Sequence, residues 1–280
     1  MITQVLTTSA AVAIAERHAR RPGSGLFAGR PNAPVLRNYR ALRTTNTLTF
    51  LTGFVEPVIY LLAFGYGVGA LIGSVTVAGV DIPYIDFIAP ALLASSAMMG
   101  AIMDSTFNVF FKMHYMKIYH TMMSTSLGPL DVALGEIGWA MIRGAAYAIG
   151  FTVVAALFGV LTSWWALLMI PAAVLVAFAF ASIGMSITSY MKSFHQLNWL
   201  NFFLLPLFLF SGTFFPIALY PDWLQAIIMV TPLWQAIAMM RSIAFGIFDA
   251  ALLVHVVYFL VLAVVGLIFT TRRLEALFLR

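Results

Sequence analysis

The apolar residues of this chain gather into six long stretches, which short polar breaks separate. A transmembrane helix needs about 20 apolar residues, whereas the strands of a membrane barrel alternate apolar and polar positions over short segments. The pattern therefore predicts an all-α integral membrane protein with six transmembrane helices. The predicted spans cover about residues 48–72, 85–107, 132–160, 166–189, 198–212 and 250–271.

The stretch Ser211–Arg241, between the last two predicted spans, is apolar but broken by three prolines. Proline ends helices because its nitrogen cannot donate a hydrogen bond. Irregular backbone at membrane depth must be shielded by protein or water, so this stretch is predicted to re-enter the membrane or to lie at its surface. Its candidate site residues are Pro216, Pro221, Trp223, Pro232 and Arg241.

The segment before the first span is basic and also carries apolar residues. Arg37, Arg40 and Arg43 recur at a spacing of three residues between apolar side chains. This spacing predicts an amphipathic interfacial helix over Arg30–Thr45 on the inner leaflet, with its cations near anionic headgroups. A plain positively charged flank of the first span is a compatible interpretation.

The composition indicates one membrane domain over residues 30–280, after a cytoplasmic tail over residues 1–29. Hydrophobic residues make up 62% of the chain and charged residues only 9%, whereas an average soluble domain has about 25% charged residues. The chain has no cysteine, which excludes disulfides and thiolate metal sites. Its net charge of +5 is explained by the placement of the cations, so no nucleic-acid partner is predicted.

The cations are distributed unevenly along the chain. Thirteen of the 15 Lys and Arg residues fall before the first span, in the breaks after the second and fourth spans, or in the C-terminal tail. Cytoplasmic loops carry such an excess, so both termini of this multi-pass protein are predicted to be cytoplasmic, in the cytoplasmic (inner) membrane. The broken stretch then faces outward, where Arg241 would contact a lipid headgroup or pair with Asp222 or Asp249.

The candidate intramembrane residues are Glu56, Asp104, Glu136 and Arg143, which all fall inside the predicted spans. A charge left in hydrocarbon costs at least ~2.5 kcal/mol, so each of them needs a partner. Glu136 and Arg143 lie about 10 Å apart along one helix, too far for a direct bridge. Asp104 or Glu56 is therefore the predicted partner of Arg143, and a structural ion pair is favoured over a transport role.

Two common catalytic sequence patterns are absent from the sequence. It has no Gly-rich phosphate loop followed by Lys-Ser or Lys-Thr, and no G-x-S-x-G elbow. His114 and His120 are six residues apart and would lie on different faces of a helix, which disfavours a metal-chelating pair. The chain is therefore predicted to be neither an enzyme nor a metal-binding protein.

Four stretches, taken in order, carry a family resemblance. They are EPVIYLLAFGYGVG (Glu56–Gly69), YIDFIAPALLASSAMMGAIMDSTFNVFFKM (Tyr84–Met113), LDVALGEIGWAMIRGA (Leu130–Ala145), and SGTFFPIALYPDWLQ with TPLWQAIAMMR in the broken stretch. Together they resemble the permease subunits of ABC-2 type transporters, and within these the permeases of nodulation lipo-oligosaccharide exporters.

The resemblance implies a six-span permease that works with a second copy of itself or a sibling permease. It implies two ATP-binding cassette ATPase subunits on the cytoplasmic side, which hold ATP and Mg²⁺, while this chain holds no cofactor. It implies re-entrant helices at Ile217–Met229 and Leu233–Phe245, and a coupling helix in the loop Lys112–Thr125. The candidate ATPase contacts of this loop are Lys112, His114, Tyr115, Lys117, Ile118, Tyr119, His120 and Met122.

The resemblance favours ATP-driven export of an amphiphilic substrate by alternating access. The substrate classes are a glycolipid, a lipo-oligosaccharide, a lipid-linked saccharide or a hydrophobic drug. An ion-coupled secondary transporter that uses Glu56, Asp104 and Arg143 as a relay is the alternative, and it predicts transport that is sensitive to uncouplers. A membrane transferase acting on lipid-linked sugars is a third hypothesis, and it would require paired carboxylates at one membrane face.

Overall fold

The computed structural model describes residues 25–44, 55, 57–77, 80–160 and 163–278. Glu56 and most of the predicted tail, residues 1–24, lie outside the described residues. The elements in chain order are α1 (Asn32–Thr44), α2 (Pro57–Ile72), β1 (Ser74–Val77), β2 (Val80–Pro83), α3 (Tyr84–Tyr115), α4 (Ile118–Met123), α5 (Pro129–Leu157), α6 (Trp164–Tyr190), α7 (Phe194–Leu209), α8 (Asp222–Val230), α9 (Pro232–Ala244) and α10 (Ala250–Phe278).

The long apolar helices confirm the predicted class of helical membrane protein. Within the described residues, four helices (α3, α5, α6 and α10) are long and apolar enough to cross a membrane. The pair α8 and α9, which is bent by 84°, makes a fifth candidate if it is counted as one span. The shorter helices α2 and α7 lie in the first and fifth predicted spans, so the count of six spans stays a prediction.

Helices α3 and α10 run well past the ends of their predicted spans, since a helix can continue beyond the length of the hydrocarbon core. Helix α3 runs on past residue 107 to Tyr115, and its 32 residues measure about 48 Å against a hydrocarbon core of about 30 Å. Helix α10 does not end at Arg272 and Arg273 but continues to Phe278. The Arg273 guanidinium lies 4.5 Å from the centre of the Tyr190 ring, which holds this helix end against α6.

A β-hairpin takes the place of the short polar turn that was predicted at residues 73–83, before α3. Strands β1 and β2 pair antiparallel, with Ser74 opposite Pro83 and Val77 opposite Val80. The segment is rich in valine, threonine and isoleucine, and such β-branched side chains favour strands over helices. The hairpin therefore follows local side-chain preference, which the hydrophobic pattern over longer stretches obscured.

Helix α6 is the centre of the bundle, where it packs against α3, α5 and α10. Small residues permit these close approaches, as is usual between membrane helices. A β-carbon placed on Gly266 of α10 would lie 2.8 Å from the backbone nitrogen of Ile183 in α6. The Thr270 hydroxyl, one turn further along α10, donates to the carbonyl of Ser182 at 3.1 Å. Helices α6 and α10 thus touch at backbone distance.

We expect Gly266→Ala to destabilise the protein by about 1–3 kcal/mol, because the new methyl group would force α10 away from the α6 backbone. Thermal unfolding in lipid nanodiscs measures this loss. Gly67→Ala is the matched control, since a β-carbon at Gly67 meets nothing within 4 Å. Equal unfolding temperatures for the two variants would show that the α6–α10 contact does not depend on Gly266.

Candidate coupling surface and buried polar residues

The described Lys and Arg side chains gather at one end of the bundle, except for Arg143 and Arg241. We call this end the basic end. Several helix termini contact one another there. Lys112 near the end of α3 pairs with Glu136 near the start of α5. Phe278 at the end of α10 packs on His120 of α4 at a ring distance of 4.7 Å. The cations thus share one end of the bundle, as the sequence predicted.

The predicted coupling loop, Lys112–Thr125, is largely helical and forms the tip of the basic end. It contains the last turn of α3, a turn at Lys117, and α4. Lys117 has a left-handed backbone, with φ 51°, which costs a residue with a β-carbon about 1–2 kcal/mol. We call this part of the chain the coupling segment. The turn at Lys117 brings α4 into contact with the end of α10, where His120 packs on Phe278.

The predicted contact residues of the coupling segment divide into two groups. The outward group is exposed and consists of His114, Tyr115, Lys117 and His120. The inward group is buried or partly buried and consists of Lys112, Ile118, Tyr119 and Met122. Of the eight predicted contact residues, only the outward group is exposed. The inward group joins the coupling segment to the rest of this chain.

Glu136 holds the inward group in place and is buried near the start of α5. Its carboxylate accepts hydrogen bonds from Lys112 Nζ at 2.6 Å and from Asn38 Nδ2 of α1 at 3.0 Å. Arg37 Nη1 lies 3.8 Å from the second oxygen of Glu136. Glu136 was predicted to need a partner, and the structure places two cations there. The part played by Asn38 was missed, because a single Asn in an amphipathic helix carries no distinctive signal.

Asp131, in the first turn of α5, fixes the chain that leads into α1. Its carboxylate accepts hydrogen bonds from the backbone nitrogens of Ala28 at 2.6 Å, Arg30 at 2.7 Å and Gly128 at 3.0 Å. The described end of the predicted tail is therefore attached to the bundle. Sequence reasoning missed this role. An acidic residue three positions after Gly128 is a helix-start signature that could have indicated it.

The buried pair of Arg143 and Asp104 lies deeper between α5 and α3. Arg143 Nη1 donates to Asp104 Oδ1, which confirms Asp104 as the predicted partner. Asn108 Nδ2 donates to the same oxygen at 2.6 Å, and Arg143 Nη2 donates to the Tyr147 hydroxyl at 2.5 Å. Asp104 begins a π-helical turn in α3, a distortion that often marks functional positions. The other predicted partner, Glu56, lies outside the described residues.

The broken stretch forms two helices in a different arrangement from the predicted one. Helix α8 begins at Asp222 rather than Ile217, because Pro221 precedes its first turn and a short 3-10 turn after Pro216 takes up the chain before it. Pro232 opens α9 at its first position. The Trp223 side chain is 68% exposed. The prolines thus set where both helices begin and where the chain bends by 84°.

Arg241 does not pair with Asp222 or Asp249, and the expectation of a headgroup or aspartate partner is wrong. Its guanidinium turns inward and donates to the carbonyls of Phe87 at 3.2 Å, Gly212 at 2.8 Å and Thr213 at 3.3 Å. It also lies 3.7 Å from the centre of the Phe87 ring. Arg241 therefore fastens the broken stretch to the first turn of α3. The positive φ of Gly212, 74°, turns its carbonyl region towards this cation.

A bundle of long apolar helices with buried ion pairs and a protruding coupling segment is the architecture of a membrane-embedded permease. The family model described as "ABC-2 type transporter" matches residues 33–245, and the chain belongs to this family. No solved structure matches the chain significantly.

Several relatives share the name nodulation protein J. The one from Sinorhizobium fredii NGR234 is 31% identical over 207 residues, which are 73% of this chain and 77% of the relative. The one from Rhizobium leguminosarum bv. viciae is 29% identical over 246 residues, which are 87% of this chain and 93% of the relative. A third, from Rhizobium leguminosarum bv. trifolii, is 32% identical over 212 residues, 75% of this chain and 79% of the relative.

Proposed function

We propose that this chain is the permease subunit of an ATP-driven exporter of an amphiphilic substrate, namely a glycolipid, a lipo-oligosaccharide, a lipid-linked saccharide or a hydrophobic drug. The observation that carries the proposal is the coupling segment. In a member of the ABC-2 family, α3 extends past the length of a membrane span, and the coupling segment at its end exposes His114, Tyr115, Lys117 and His120. Export as the direction rests on the resemblance of the sequence to the permeases of nodulation lipo-oligosaccharide exporters.

The partners follow from the same proposal. Two ATP-binding subunits hold ATP and Mg²⁺ and dock on the coupling segments of two permeases, which are either two copies of this chain or this chain and a sibling. The gathering of cations at the basic end supports a cytoplasmic location for that end and for both termini. In this arrangement α2 and α7 complete the six spans, and α8 and α9 re-enter the membrane from outside.

The mechanism we propose is alternating access without catalysis by this chain. Helix α3 connects the two ends of the molecule, because Lys112 at one end bonds Glu136 and Phe87 at the other bonds Arg241. A push on the coupling segment by the closing ATPase pair would reach the broken stretch along this one helix. The paired charges of Asp104 and Arg143 neutralise each other, which supports a structural role for them over an ion relay.

A crosslinking experiment tests this function, and the cysteine-free sequence provides the background for it. Single cysteines at Lys117 and at His120 are expected to crosslink to the copurifying ATP-binding subunit. A cysteine at Tyr66, which is also exposed but lies near the opposite end, is the control. A chain that transports without an ATP-binding subunit, and whose transport stops when uncouplers are added, would contradict the proposal in favour of an ion-coupled transporter.

A further inference from the structure

Four parts of the fold meet at the Glu136 carboxylate. Arg37 and Asn38 come from α1, Lys112 from the end of α3, and Tyr119 from α4, while Glu136 itself belongs to α5. Lys112 Nζ also donates to Asn38 Oδ1 at 3.1 Å, so the cation bonds two elements at once. We call this set of five residues the Glu136 junction. It is the place where the coupling segment is bonded to both α1 and α5.

The side chains of the Glu136 junction are buried enough for their bonds to hold the helices together. The Glu136 side chain is 3% exposed and that of Lys112 is 15% exposed. A charge taken out of water must be paired and hydrogen-bonded, and removing one partner leaves the other uncompensated. The bonds therefore hold α1, α3 and α5 together as long as the carboxylate is present. A surface ion pair, screened by water, would not do this.

A long hydrogen bond joins α4 to α5 inside the Glu136 junction. Within the described residues, the Tyr119 hydroxyl and Glu136 Oε1 are buried and neither makes a close hydrogen bond. Burial raises the pKa of Tyr119, and the charge of the Glu136 carboxylate and a hydrogen bond to that carboxylate raise this pKa further. The phenol therefore stays protonated and can donate. Buried polar groups are nearly always bonded, so this long bond between a donor on α4 and an acceptor on α5 is one that a small movement of α4 would shorten.

We propose that Glu136 is a positioning residue that makes α4, α1 and α5 move as one body, and that the bond from the Tyr119 hydroxyl to the Glu136 carboxylate shortens when the ATPase presses on α4. This inference rests on the proposed function, since the ATPase supplies the push. It goes beyond that function by assigning the internal step from the coupling segment to the bundle. The exposed residues of the coupling segment receive the push, and the buried Glu136 junction passes it on.

Distances between paired spin labels test the first part, because the chain has no native cysteine. Labels at Arg40 of α1 and Ser124 after α4, both exposed, report on the Glu136 junction, and a label at Ile187 of α6 is the reference. In the complex with its ATP-binding subunits, we expect the Arg40–Ser124 distance to keep one narrow distribution. The Ser124–Ile187 distance is expected to shift when ATP, Mg²⁺ and vanadate trap the closed ATPase.

Glu136→Gln is expected to widen the Arg40–Ser124 distribution at least twofold, and the charge swap Lys112→Glu with Glu136→Lys is expected to narrow it again. Glu275→Gln, which neutralises another carboxylate near the basic end, is the matched control. If Glu136→Gln does not fold, Lys112→Gln leaves Asn38 and Arg37 on the carboxylate and is expected to give a smaller widening. A distribution in Glu136→Gln as narrow as in the parent chain would overturn the proposal.

Tyr119→Phe tests the second part, because it removes only the hydroxyl and keeps the ring. The nucleotide-free distances are expected to stay unchanged, while the vanadate-trapped shift of Ser124–Ile187 falls by at least half. Tyr66→Phe is the control. A full shift in Tyr119→Phe would refute the role of the bond between Tyr119 and Glu136. If no ATP-binding subunit associates with the parent chain, the proposed function fails, whereas the nucleotide-free Arg40–Ser124 widths still decide whether Glu136 joins α1 to α4.

Discussion

Replacing Arg143 with methionine is expected to lower the free energy of unfolding by about 3–5 kcal/mol, because Asp104 would stay buried without its cation. The Asp104 side chain is 8% exposed and that of Arg143 is 17% exposed, so water cannot take over the role of the lost partner. The bond from Arg143 to the Tyr147 hydroxyl would be lost as well. Thermal and denaturant unfolding in lipid nanodiscs measure the loss.

The matched control removes both charges of this pair together. Asp104→Asn with Arg143→Met leaves no buried charge and is expected to recover most of the stability, since replacing a whole buried pair is often nearly neutral. Arg272→Met at the exposed end of α10 controls for the loss of a cation alone. If the single and double variants unfold alike, the pair contributes nothing as a pair, and the assigned ion bond is wrong.

Tyr115→Ala is expected to weaken the binding of the ATP-binding subunit about 30-fold or more. Exposed tyrosines at the centre of an interface often account for 2 kcal/mol or more, and ~1.4 kcal/mol is a factor of ten in affinity. The Tyr115 side chain is 64% exposed at the tip of the basic end, so its truncation removes contact area without opening the core. Titration of the purified ATP-binding subunit onto the chain in nanodiscs gives the affinity.

Tyr66→Ala is the control for this second variant. The Tyr66 side chain is 54% exposed and belongs to α2, near the β-hairpin and far from the coupling segment. It is expected to bind the ATP-binding subunit as the parent chain does, and both variants should keep the parent unfolding temperature. If Tyr115→Ala binds the ATP-binding subunit with unchanged affinity, the outward face of the coupling segment is not part of the interface.

These expectations divide the candidate residues by depth. The outward side chains of the coupling segment are proposed to contact the ATP-binding subunit, so their loss should lower the affinity for that subunit. Asp104 and Arg143 stabilise the packing of α3 against α5, so their loss should lower the free energy of unfolding. Glu136 lies between these groups, and its loss should widen the distribution of distances between α1 and α4. Such a division could not be made along the sequence, where His114, Tyr119 and Glu136 are simply polar residues near the ends of apolar stretches.

Much of the architecture was predictable from the sequence, because the bilayer imposes a length on apolar stretches and a bias on flanking charges. The starts of α5 and α6 and the start of α10 lie close to the predicted ones. The interfacial helix was predicted over residues 30–45 and is observed as Asn32–Thr44. Asp104 could be named as one of two candidate partners of Arg143, beside Glu56, because a charge in hydrocarbon requires a partner and few were available.

The sequence by itself therefore determined the class of protein, the places of the long helices and the gathering of cations at one end. Only the tertiary structure decided that Arg241 bonds three carbonyls, that Glu136 joins α1 to the coupling segment, and which side chains of that segment face outward. The reason is physical: hydrophobic length and charge bias act along the chain, whereas hydrogen-bond partners come from residues that only folding brings together. Arg241 and Phe87 are 154 positions apart, yet Arg241 donates a hydrogen bond of 3.2 Å to the Phe87 carbonyl.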